Sequence, residues 1–531
     1  MRVAVVGGGP GGLYAALLLK RQDPGAEVTV FERNAPDDTF GFGVVFSAAT
    51  LAELEDADAP SYDALLAACA RWDPVDIVVG GTRIRARGNR FAAIARKRLL
   101  GLLQDRCRAV GVDLRFGVEL TDPADVLDAD LVIGADGVHS RVRACFAGTF
   151  EPRLTVEGSK YIWLGTTLPL HAFTFFFTEN EHGRFQAHAY PYDERSSTFI
   201  VECDEQTWRR AGLDRPDHAL LDPGASDLAG VDYCRRLFAD HLRGHPLIGN
   251  SSRWRDWTTV RNRRWHHDHV VLLGDAAHTA HFSIGSGTKL ALEDAIALVD
   301  AIGRHDRPDH ALDDYEATRR PVVERLQAAA AESMDWFARH PRRYAGFAPP
   351  QFAYSLLTRS TRVTHDNLRA RDPVLTDAYE RWFAARSGVG AGDTLLVAPP
   401  PALTPLTLRG TTLPNRMVLV APNPFTANDG QPGDHDLDAA AALGRGGAGL
   451  VLVDLVAVSA RARVTSGCRG LYDPAHGSAW ARAIARVRDG TDTRIGVQLV
   501  HAGRRGATRP RSAGTDRPLR AAWPLVSASP L

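Results

Sequence analysis

The chain has few of the residues that would indicate a disulfide-rich or a membrane protein. Only six of its 531 residues are cysteines, they are dispersed, and no two of them form a Cys-x-x-Cys pair. This usage predicts a reducing, cytoplasmic environment rather than a disulfide framework. No run approaches the roughly 18 apolar residues of a membrane-spanning helix, so none is predicted. The sequence starts directly with a predicted strand, which leaves no room for a signal peptide.

An excess of charge of one sign is also absent. Lysine and arginine total 63, aspartate and glutamate total 63, and the formal net charge is zero. The field of the whole chain therefore attracts neither nucleic acid nor a membrane surface, and neither is predicted as a partner. The apolar content of 44% and the aromatic content of 8% are ordinary for a globular protein. A chain of 531 residues is long for one domain, so two or three are expected.

A glycine-rich turn follows the first predicted strand. The apolar stretch 3–6 runs into a Gly-x-Gly-x-x-Gly pattern made by Gly7, Gly9 and Gly12, with Pro10 between the last two. In a strand-turn-helix unit the first glycine allows the tight turn, and the second lets the backbone approach a pyrophosphate. The third lets the helix pack closely on the strand, and the phosphates lie on the helix N-terminus. The pattern therefore predicts a dinucleotide site.

The residues after this turn supply the structural context that the pattern needs. Residues 13–19 continue as a predicted helix, and residues 27–31 form a second apolar strand that ends at Glu32. An acid at this strand end accepts hydrogen bonds from the adenosine ribose hydroxyls, and Arg33 follows it directly. The glycine pattern alone does not separate FAD from NAD.

Two later stretches repeat the combination of an apolar strand and a Gly/Asp turn. Asp136 and Gly137 follow the first strand, and Asp275 follows the second, with Gly285 and Gly287 a short way beyond. Such turns place an acid at the carboxyl end of a sheet strand, where the ligands of open α/β folds lie. The three stretches in this order favour a flavin site.

Together these stretches resemble the aromatic-ring hydroxylases, flavoprotein monooxygenases with one Rossmann-like domain, over roughly residues 1–385. Arg96, Leu99 and Leu103 match an Arg-x-x-Leu-x-x-x-Leu element of that family. The resemblance implies that the Asp-Gly turn lies between the FAD and NAD(P)H pyrophosphates and that the Gly-Asp turn contacts the FAD ribityl and phosphate. The residues that we predict at the cofactor are Gly7, Gly9, Pro10, Gly12, Glu32, Arg33, Arg96, Asp136, Gly137, Asp275, Gly285 and Gly287.

Five segments are similar to a narrower group, the salicylyl-CoA 5-hydroxylases and 2-aminobenzoyl-CoA monooxygenases. They are residues 41–47, 96–100, 163–167, 179–183 and 281–285. Tryptophan-hydroxylating flavoenzymes share part of the pattern, including the His-Phe-Ser-Ile-Gly run. The closer resemblance implies a substrate whose aromatic ring is carried as a CoA thioester. A free aromatic acid, or an indole such as tryptophan, is the alternative within this class.

The resemblance also implies the reaction. NADH or NADPH binds transiently and reduces FAD, O2 adds to the flavin C4a to give a hydroperoxide, and the terminal oxygen passes to an electron-rich ring. The cofactor performs the chemistry, while the protein positions the ring and excludes water. No side-chain nucleophile or metal is required. The alternative from another class is a non-catalytic flavin-binding subunit or scaffold, and either protein could form a homo-oligomer.

His281 is the candidate catalytic residue, because it follows the Gly-Asp turn that is predicted to reach the flavin. His281 and Phe282 stand where the wider family often has a Pro-Pro pair, and Lys289 stands where asparagine is usual. A structural histidine bonded to the backbone is the alternative. His278 and three histidines between residues 266 and 269 lie nearby, but no cysteine or carboxylate in the sequence completes a metal set. No metal site is predicted.

Three arginines alternate on one predicted strand. Arg83, Arg85 and Arg87 share a face, because side chains alternate along a strand. Arginine pairs well with phosphate, so this face is a candidate for binding the CoA nucleotide. A solvated sheet face is the commoner alternative.

The predicted fold is α/β (α+β), with three parts along the chain. Residues 1–386 form a hydroxylase module in which a Rossmann-like FAD-binding domain carries an antiparallel-sheet substrate subdomain at about residues 155–260. Residues 387–401, rich in glycine and proline, form a linker. Residues 402–531 form an incomplete (β/α) barrel segment.

Two motifs beyond the linker resemble the start of the old yellow enzyme family of FMN-binding (β/α)8 barrels. They are residues 413–416, Leu-Pro-Asn-Arg, and residues 498–504, Gln-Leu-Val-His-Ala-Gly-Arg. The same tandem occurs in the aminobenzoyl-CoA monooxygenase/reductase group. Only about three strand-helix units follow the linker, whereas a full barrel needs eight and usually binds phosphate after strands 7–8. FMN is therefore predicted not to bind.

Overall fold

The computed structural model describes residues 1–214, 222, 224–343, 346–390, 395–510, 513 and 517–528. The chain divides into two compact units, Met1–Leu375 and Thr376–Leu531. This division places residues 376–386 with the second unit, whereas the sequence predicts a linker at 387–401. Residues 391–394 of that linker lie outside the described residues. The proposed domain organisation stays a prediction.

A six-stranded sheet forms the first layer of the first unit. In spatial order its strands are β16 (His266–His267), β17 (Val270–Leu272), β9 (Leu131–Gly134), β1 (Arg2–Val6), β2 (Glu27–Glu32) and β8 (Asp113–Phe116). All neighbours are parallel except β16 and β17. Parallel strands are covered on both faces, which explains why β1, β9 and β17 read as continuous apolar runs. The predicted Rossmann-like sheet is therefore present.

Sixteen helices are described in the chain, and most of them belong to the first unit. They are α1 (Pro10–Gln22), α2 (Ala48–Ala57), α3 (Ala59–Ala68), α4 (Arg96–Val110), α5 (Arg141–Cys145), α6 (Ala147–Phe150), α7 (Glu205–Arg210), α8 (Leu228–Leu237), α9 (Ala239–Leu242), α10 (Gly287–Arg304), α11 (Pro308–Arg343), α12 (Pro349–Leu357), α13 (His365–Arg371), α14 (Pro373–Arg386), α15 (Asp434–Arg445) and α16 (Pro474–Arg488). Helix α1 packs on α4 and α10, and its Leu13 and Leu17 are fully buried. Each such side chain contributes about 1.5–3 kcal/mol of burial free energy.

An eight-stranded sheet forms the second layer. Its strands are β5 (Val75–Val79), β6 (Thr82–Ala86), β10 (Pro152–Thr166), β11 (Phe173–Asn180), β12 (Gly183–Pro191), β13 (Ser197–Asp204), β14 (Leu247–Gly249) and β15 (Arg255–Asn262). Strands β10 to β13 pair in antiparallel fashion, as predicted for this part of the chain. The predicted bounds of 155–260 are too narrow, because β5 and β6 join this sheet and β11 pairs with β5 in parallel.

The two faces of this sheet have different neighbours because strand side chains alternate. Phe185, Ala187 and Val201 belong to a core with residues of α8 and α9. Tyr161 and Tyr190 lie on the other face, which lines a cavity. A small sheet of β3 (Gly43–Ser47), β7 (Phe91–Ala95) and β4 (Ala70–Trp72) completes the described strands of this unit.

The second unit contains a hairpin and a parallel sheet. The hairpin is β18 (Leu406–Leu408) and β19 (Thr411–Leu413), and the sheet is β20 (Val418–Ala421), β21 (Leu450–Ala457) and β22 (Arg494–Val500). Helices α15 and α16 connect the three parallel strands and pack on one face of the sheet, where Val451, Val453 and Trp480 are buried. The predicted alternation of strands and helices is present, and no closed barrel occurs among the described residues of this unit.

No described helix combines the length and the apolar character needed to cross a membrane.

Candidate active site

The glycine pattern at the start of α1 combines two close contacts with one open position. A Cβ on Gly7 would lie 2.3 Å from the Ala135 carbonyl oxygen, and φ at Gly7 is +111°. A Cβ on Gly12 would lie 2.1 Å from the Gly7 carbonyl oxygen. At Gly9, which caps α1 ahead of Pro10, a Cβ would meet nothing within 4 Å. Two glycines are therefore required by packing, while the third leaves space at the helix N-terminus.

Glu32 lies at the end of β2 and contacts the same turn. Its Oε2 accepts a hydrogen bond from the Gly8 N–H at 2.8 Å, and its Oε1 accepts from the Asn34 N–H at 2.9 Å. Arg33, which is exposed, follows it. Glu32 thus fixes the glycine turn, in addition to its predicted place beside a ribose. No local sequence pattern indicates the contact between Glu32 and Gly8.

Only one of the two carboxylate oxygens of Asp136 has hydrogen-bond partners among the described residues. Its Oδ2 accepts hydrogen bonds from the backbone N–H groups of Arg141 at 2.7 Å and Val142 at 3.2 Å, at the N-terminus of α5. Its Oδ1 is buried and has no hydrogen-bond partner among the described residues. The neighbouring Gly137 has φ +81°. A buried carboxylate oxygen without a donor fits a group that is bound here in the working protein.

Arg143 connects the two Gly/Asp turns. Its guanidinium donates to the carbonyl oxygens of Val138 at 2.6 Å and Ala276 at 2.9 Å. Each carbonyl belongs to one of the predicted motifs. Sequence reasoning missed Arg143, because its partner Ala276 is distant in the chain and nothing local indicates the contact.

Asp294 on α10 holds the second turn from behind. It is fully buried and accepts hydrogen bonds from the Gly274 N–H at 3.2 Å, His278 Nε2 at 2.7 Å and Arg319 Nε at 2.9 Å. Burial alone would raise the pKa of Asp294, but the contacts with His278 and Arg319 outweigh it and lower the pKa. Sequence reasoning missed Asp294, because nothing local distinguishes it from the other acids of α10, Glu293 and Asp300.

Asp275 and Arg96 meet at a cavity that lies between the two sheets of the first unit. Asp275 is exposed to the cavity, where the surrounding protein removes most of the solvent and raises its pKa, and the charges of His278 and Arg96 act against this shift. Burial lowers the pKa of Arg96, while Asp275 raises it. Each group thus favours the charged form of the other. Both line the cavity, as the sequence predicted for a cofactor site.

The cavity has a volume of about 310 Å³ and largely aromatic walls. Three lining arginines, Arg96, Arg253 and Arg255, face a single lining carboxylate, Asp275. The aromatic lining residues are Phe40, Phe42, Tyr161, Trp163, Phe173, His188, Tyr190, Trp257 and Phe282. The lining therefore suits a flat, electron-rich ring with an oxygen-bearing substituent.

Backbone at the N-terminus of α10 also opens to the cavity. Gly285 and Gly287 line it, and a Cβ on either would meet nothing within 4 Å. Gly285 has φ +63°, a conformation that favours glycine. Open backbone at this helix start, the space at Gly9 and the unpartnered oxygen of Asp136 fit one large anionic cofactor such as FAD.

His281 lies behind the cavity wall, not on it. Its side chain is 2% exposed, its Nδ1 accepts from the Ser283 N–H at 3.3 Å, and its Nε2 is 3.7 Å from Glu202 Oε1. Burial lowers the pKa of His281 to about 4, against the raising effect of Glu202. Phe282 lines the cavity in its place. This geometry supports the structural alternative for His281 and gives it no direct contact with a substrate.

The other histidines have partners of their own. His278 binds Asp294, His266 binds Glu316 at 3.0 Å, and the ring of His267 packs on Phe146. Within the described residues, no group of three or more histidine, cysteine, aspartate or glutamate side chains is arranged to hold a metal ion.

One carboxylate partly neutralises the predicted arginine face on β6. Arg83 and Arg85 both bind the buried Asp76 on β5, at 2.9 Å and 2.7 Å. Arg87 is exposed. Two of the three guanidinium groups therefore form an ion-pair cluster within the sheet, which favours the solvated-face alternative over a phosphate site.

A comparison with protein families shows the family to which this chain belongs. The family described as "FAD binding domain" matches residues 1–330. The chain belongs to this family. It is 47% identical over 432 residues to a salicyloyl-CoA 5-hydroxylase from a Streptomyces species, a match that covers 81% of each chain. It is 39% identical over 341 residues to a 3-hydroxy-4-methyl-anthranilyl-[aryl-carrier protein] 5-monooxygenase of Streptosporangium sibiricum, covering 64% of this chain and 90% of the relative.

Solved structures show the same fold at lower identity. One is the tetrameric form of 2-methyl-3-hydroxypyridine-5-carboxylic acid oxygenase, with a TM-score of 0.52 and 21% identity over 70% of this chain and 97% of that one. The family match and the identity to a hydroxylase show that the protein is an FAD-dependent monooxygenase, as predicted. The alternative of a non-catalytic scaffold is set aside.

Proposed function

We propose that this monooxygenase hydroxylates an aromatic ring carried as a CoA thioester, of the salicylyl-CoA or 2-aminobenzoyl-CoA type, with NAD(P)H and O2 as co-substrates. The observation that carries the proposal is the 47% identity to a salicyloyl-CoA 5-hydroxylase across 81% of both chains. The second relative is named for an aryl group on a carrier protein. Both names describe an aromatic acyl group attached to a larger carrier.

The cavity residues support an aromatic substrate with polar substituents. Trp163 Nε1, Trp257 Nε1 and His188 Nδ1 are buried, belong to lining residues, and lack hydrogen-bond partners in the part of the chain that the structure describes. Donors and acceptors of this kind can orient a ring hydroxyl, amino or thioester carbonyl group. The aromatic side chains around them exclude water from the ring.

We assign the cofactor residues by position. Gly7, Gly9 and the start of α1 would hold the pyrophosphate, Glu32 the adenosine side, and Asp136 and Asp275 the central part. The remaining predicted residues would lie along the bound cofactor, and they are Arg33, Gly137, Gly285 and Gly287. Arg96 balances the charge of Asp275. Bound FAD supplies the redox chemistry that activates O2. The side chains bind FAD, orient the substrate ring and exclude water from it.

Two other kinds of aromatic substrate are alternatives within the same class of monooxygenase. A relative that is 32% identical over 346 residues, covering 64% of this chain and 89% of its own length, is the protodeoxyviolaceinate monooxygenase of Chromobacterium violaceum. It supports a free aromatic or indole substrate as the alternative, and the second relative above supports a carrier-protein thioester.

We expect salicyloyl-CoA or 2-aminobenzoyl-CoA to raise the rate of NAD(P)H oxidation at least about tenfold over the matching free acid, because binding energy from the CoA portion helps to place the ring. The assay measures NAD(P)H consumption and product mass for the CoA esters, the free acids, tryptophan and an aryl-carrier protein. Equal turnover of the free acids would exclude the thioester requirement.

We also propose that the second unit is related to the start of an old-yellow-enzyme barrel and does not bind FMN. Its parallel sheet has three strands, β20, β21 and β22, whereas such a barrel grips phosphate after strands 7–8. We expect flavin released by heat from the purified protein to be FAD alone. One FMN per chain, measured by chromatography against both standards, would refute this proposal.

A further inference from the structure

A half-buried arginine from outside the matched family region contacts the loop that forms one cavity wall. Arg359 follows α12, beyond the residues 1–330 that the family description covers. Its Nη2 donates to the Ser283 carbonyl oxygen at 2.6 Å, and its Nε donates to Ser333 Oγ at 2.8 Å. Ser283 Oγ donates to the same Ser333 hydroxyl at 2.8 Å. The loop is thus tied to α11 and to the chain after α12.

The guanidinium is enclosed as well as bonded. It lies 5.2 Å from the ring centroids of both Phe175 and Phe337, and its Nη1 donates to the Leu356 carbonyl oxygen at 2.9 Å. Burial lowers the pKa of Arg359 to about 10, and Glu202 acts in the raising direction, so the group is charged at neutral pH. Enclosing a charged guanidinium costs free energy unless its N–H groups form hydrogen bonds. Because Arg359 forms such bonds to Ser283, Ser333 and Leu356, its geometry is fixed.

The contacted loop carries the wall residue Phe282. Its ring lies 5.1 Å from that of Tyr161 and 5.8 Å from those of Trp163 and Trp257, measured between centroids. All four rings line the cavity. Gly285, at the end of the same loop, leads into the open start of α10. The position of Ser283 therefore sets both the aromatic wall and the backbone at the predicted cofactor site.

We infer that Arg359 is a positioning residue for hydroxylation: through Ser283 and Ser333 it holds the 281–287 loop so that Phe282 closes the cavity against water. Without this contact the loop would relax, and electrons from NAD(P)H would reduce O2 to peroxide instead of supporting oxygen transfer to the ring. Each such cycle follows NAD(P)H + H⁺ + O2 → NAD(P)⁺ + H2O2, so two electrons reduce O2 to peroxide. The residue acts through the loop and does not touch the ring.

The test compares Arg359→Gln, Arg359→Lys and the matched surface control Arg339→Gln, whose arginine is on α11 and pairs with Asp335 at 2.6 Å. Product formed per NAD(P)H should fall roughly tenfold in Arg359→Gln, with a matching rise in H2O2, because small misplacements at a reacting centre are costly. Lysine keeps the charge but cannot reach all three acceptors, so Arg359→Lys should stay uncoupled. All variants are compared after saturation with FAD, and the control should match the wild type.

A second measurement needs neither turnover nor a known substrate. Hydrogen–deuterium exchange of the segment 278–290 should be faster in Arg359→Gln than in Arg339→Gln, and Ser333→Ala should show a smaller change in the same direction. Full coupling in Arg359→Lys, or unchanged exchange in Arg359→Gln, would overturn the inference. The inference rests on the proposed function only for the assay substrate. If no aromatic compound is turned over, the proposed function fails, while the exchange result still decides the role of Arg359.

Discussion

Replacing Gly9 by valine is expected to abolish FAD binding while leaving the protein folded. A Cβ at Gly9 meets no protein atom within 4 Å, so the substitution creates no clash with the chain. The space that it fills is the space that a pyrophosphate needs at the N-terminus of α1. The affinity for FAD should fall at least about 100-fold, or roughly 2.8 kcal/mol.

Two variants separate this effect from general damage. At Gly101 on α4 a Cβ also meets nothing within 4 Å, so Gly101→Val is the control that should bind FAD normally. At Gly12 a Cβ would lie 2.1 Å from the Gly7 carbonyl oxygen, so Gly12→Val should disrupt folding itself. Flavin content of purified protein and titration with FAD give the readout, with circular dichroism to follow folding. A Gly9→Val protein with a full complement of FAD would refute the assigned site.

The second large effect is expected for Asp294→Asn. The substitution removes the carboxylate that His278, Arg319 and the Gly274 N–H share, and it leaves the buried Arg319 with Glu293 alone. Breaking a buried ion pair from one side costs about 3–5 kcal/mol of unfolding free energy. Asp300→Asn, at an exposed position on the same helix, is the matched control and should change stability little. Urea denaturation at neutral pH measures both.

The same substitution should change how stability depends on pH. The pKa of Asp294 is lowered in the folded protein, so its stabilising contribution is complete well above its ordinary value of 3.8 and is lost as the pH falls toward the lower folded value. The wild type should therefore lose stability on acidification more steeply than Asp294→Asn. Equal slopes for the two proteins between about pH 5 and pH 3 would contradict the assigned role of Asp294.

Local sequence patterns were sufficient to predict that three glycine- or aspartate-bearing turns lie at the same edge of one sheet. Gly7, Asp136 and Asp275 each follow an apolar strand, and β1, β9 and β17 are neighbours in one parallel sheet, so their carboxyl ends meet. Strand-like local sequence likewise predicted the antiparallel sheet that β10 to β13 form. These features are set by residues that are close in sequence, which is why they could be inferred from it.

Long-range side-chain contacts could not be predicted in this way. Arg143 and Arg359 bind carbonyl oxygens that are 133 and 76 residues away in sequence, and no local pattern marks such partners. His281 was expected to face the substrate because it follows the Gly-Asp turn that was predicted to reach the flavin. The sequence does not show which side chain of a loop lines a cavity, and here Phe282 does so. His188 could have been found from the sequence. It lies between Ala187 and Ala189 on β12, so its side chain is on the opposite face of the sheet, which lines the cavity.

The most direct test of the account is the fate of isotopically labelled dioxygen in a reaction with salicyloyl-CoA, NAD(P)H and the purified FAD-loaded protein. We expect an aryl-CoA product that carries one labelled oxygen atom on the ring, formed in step with NAD(P)H consumption. Recovery of unchanged salicyloyl-CoA, with the label found only in hydrogen peroxide, would contradict it.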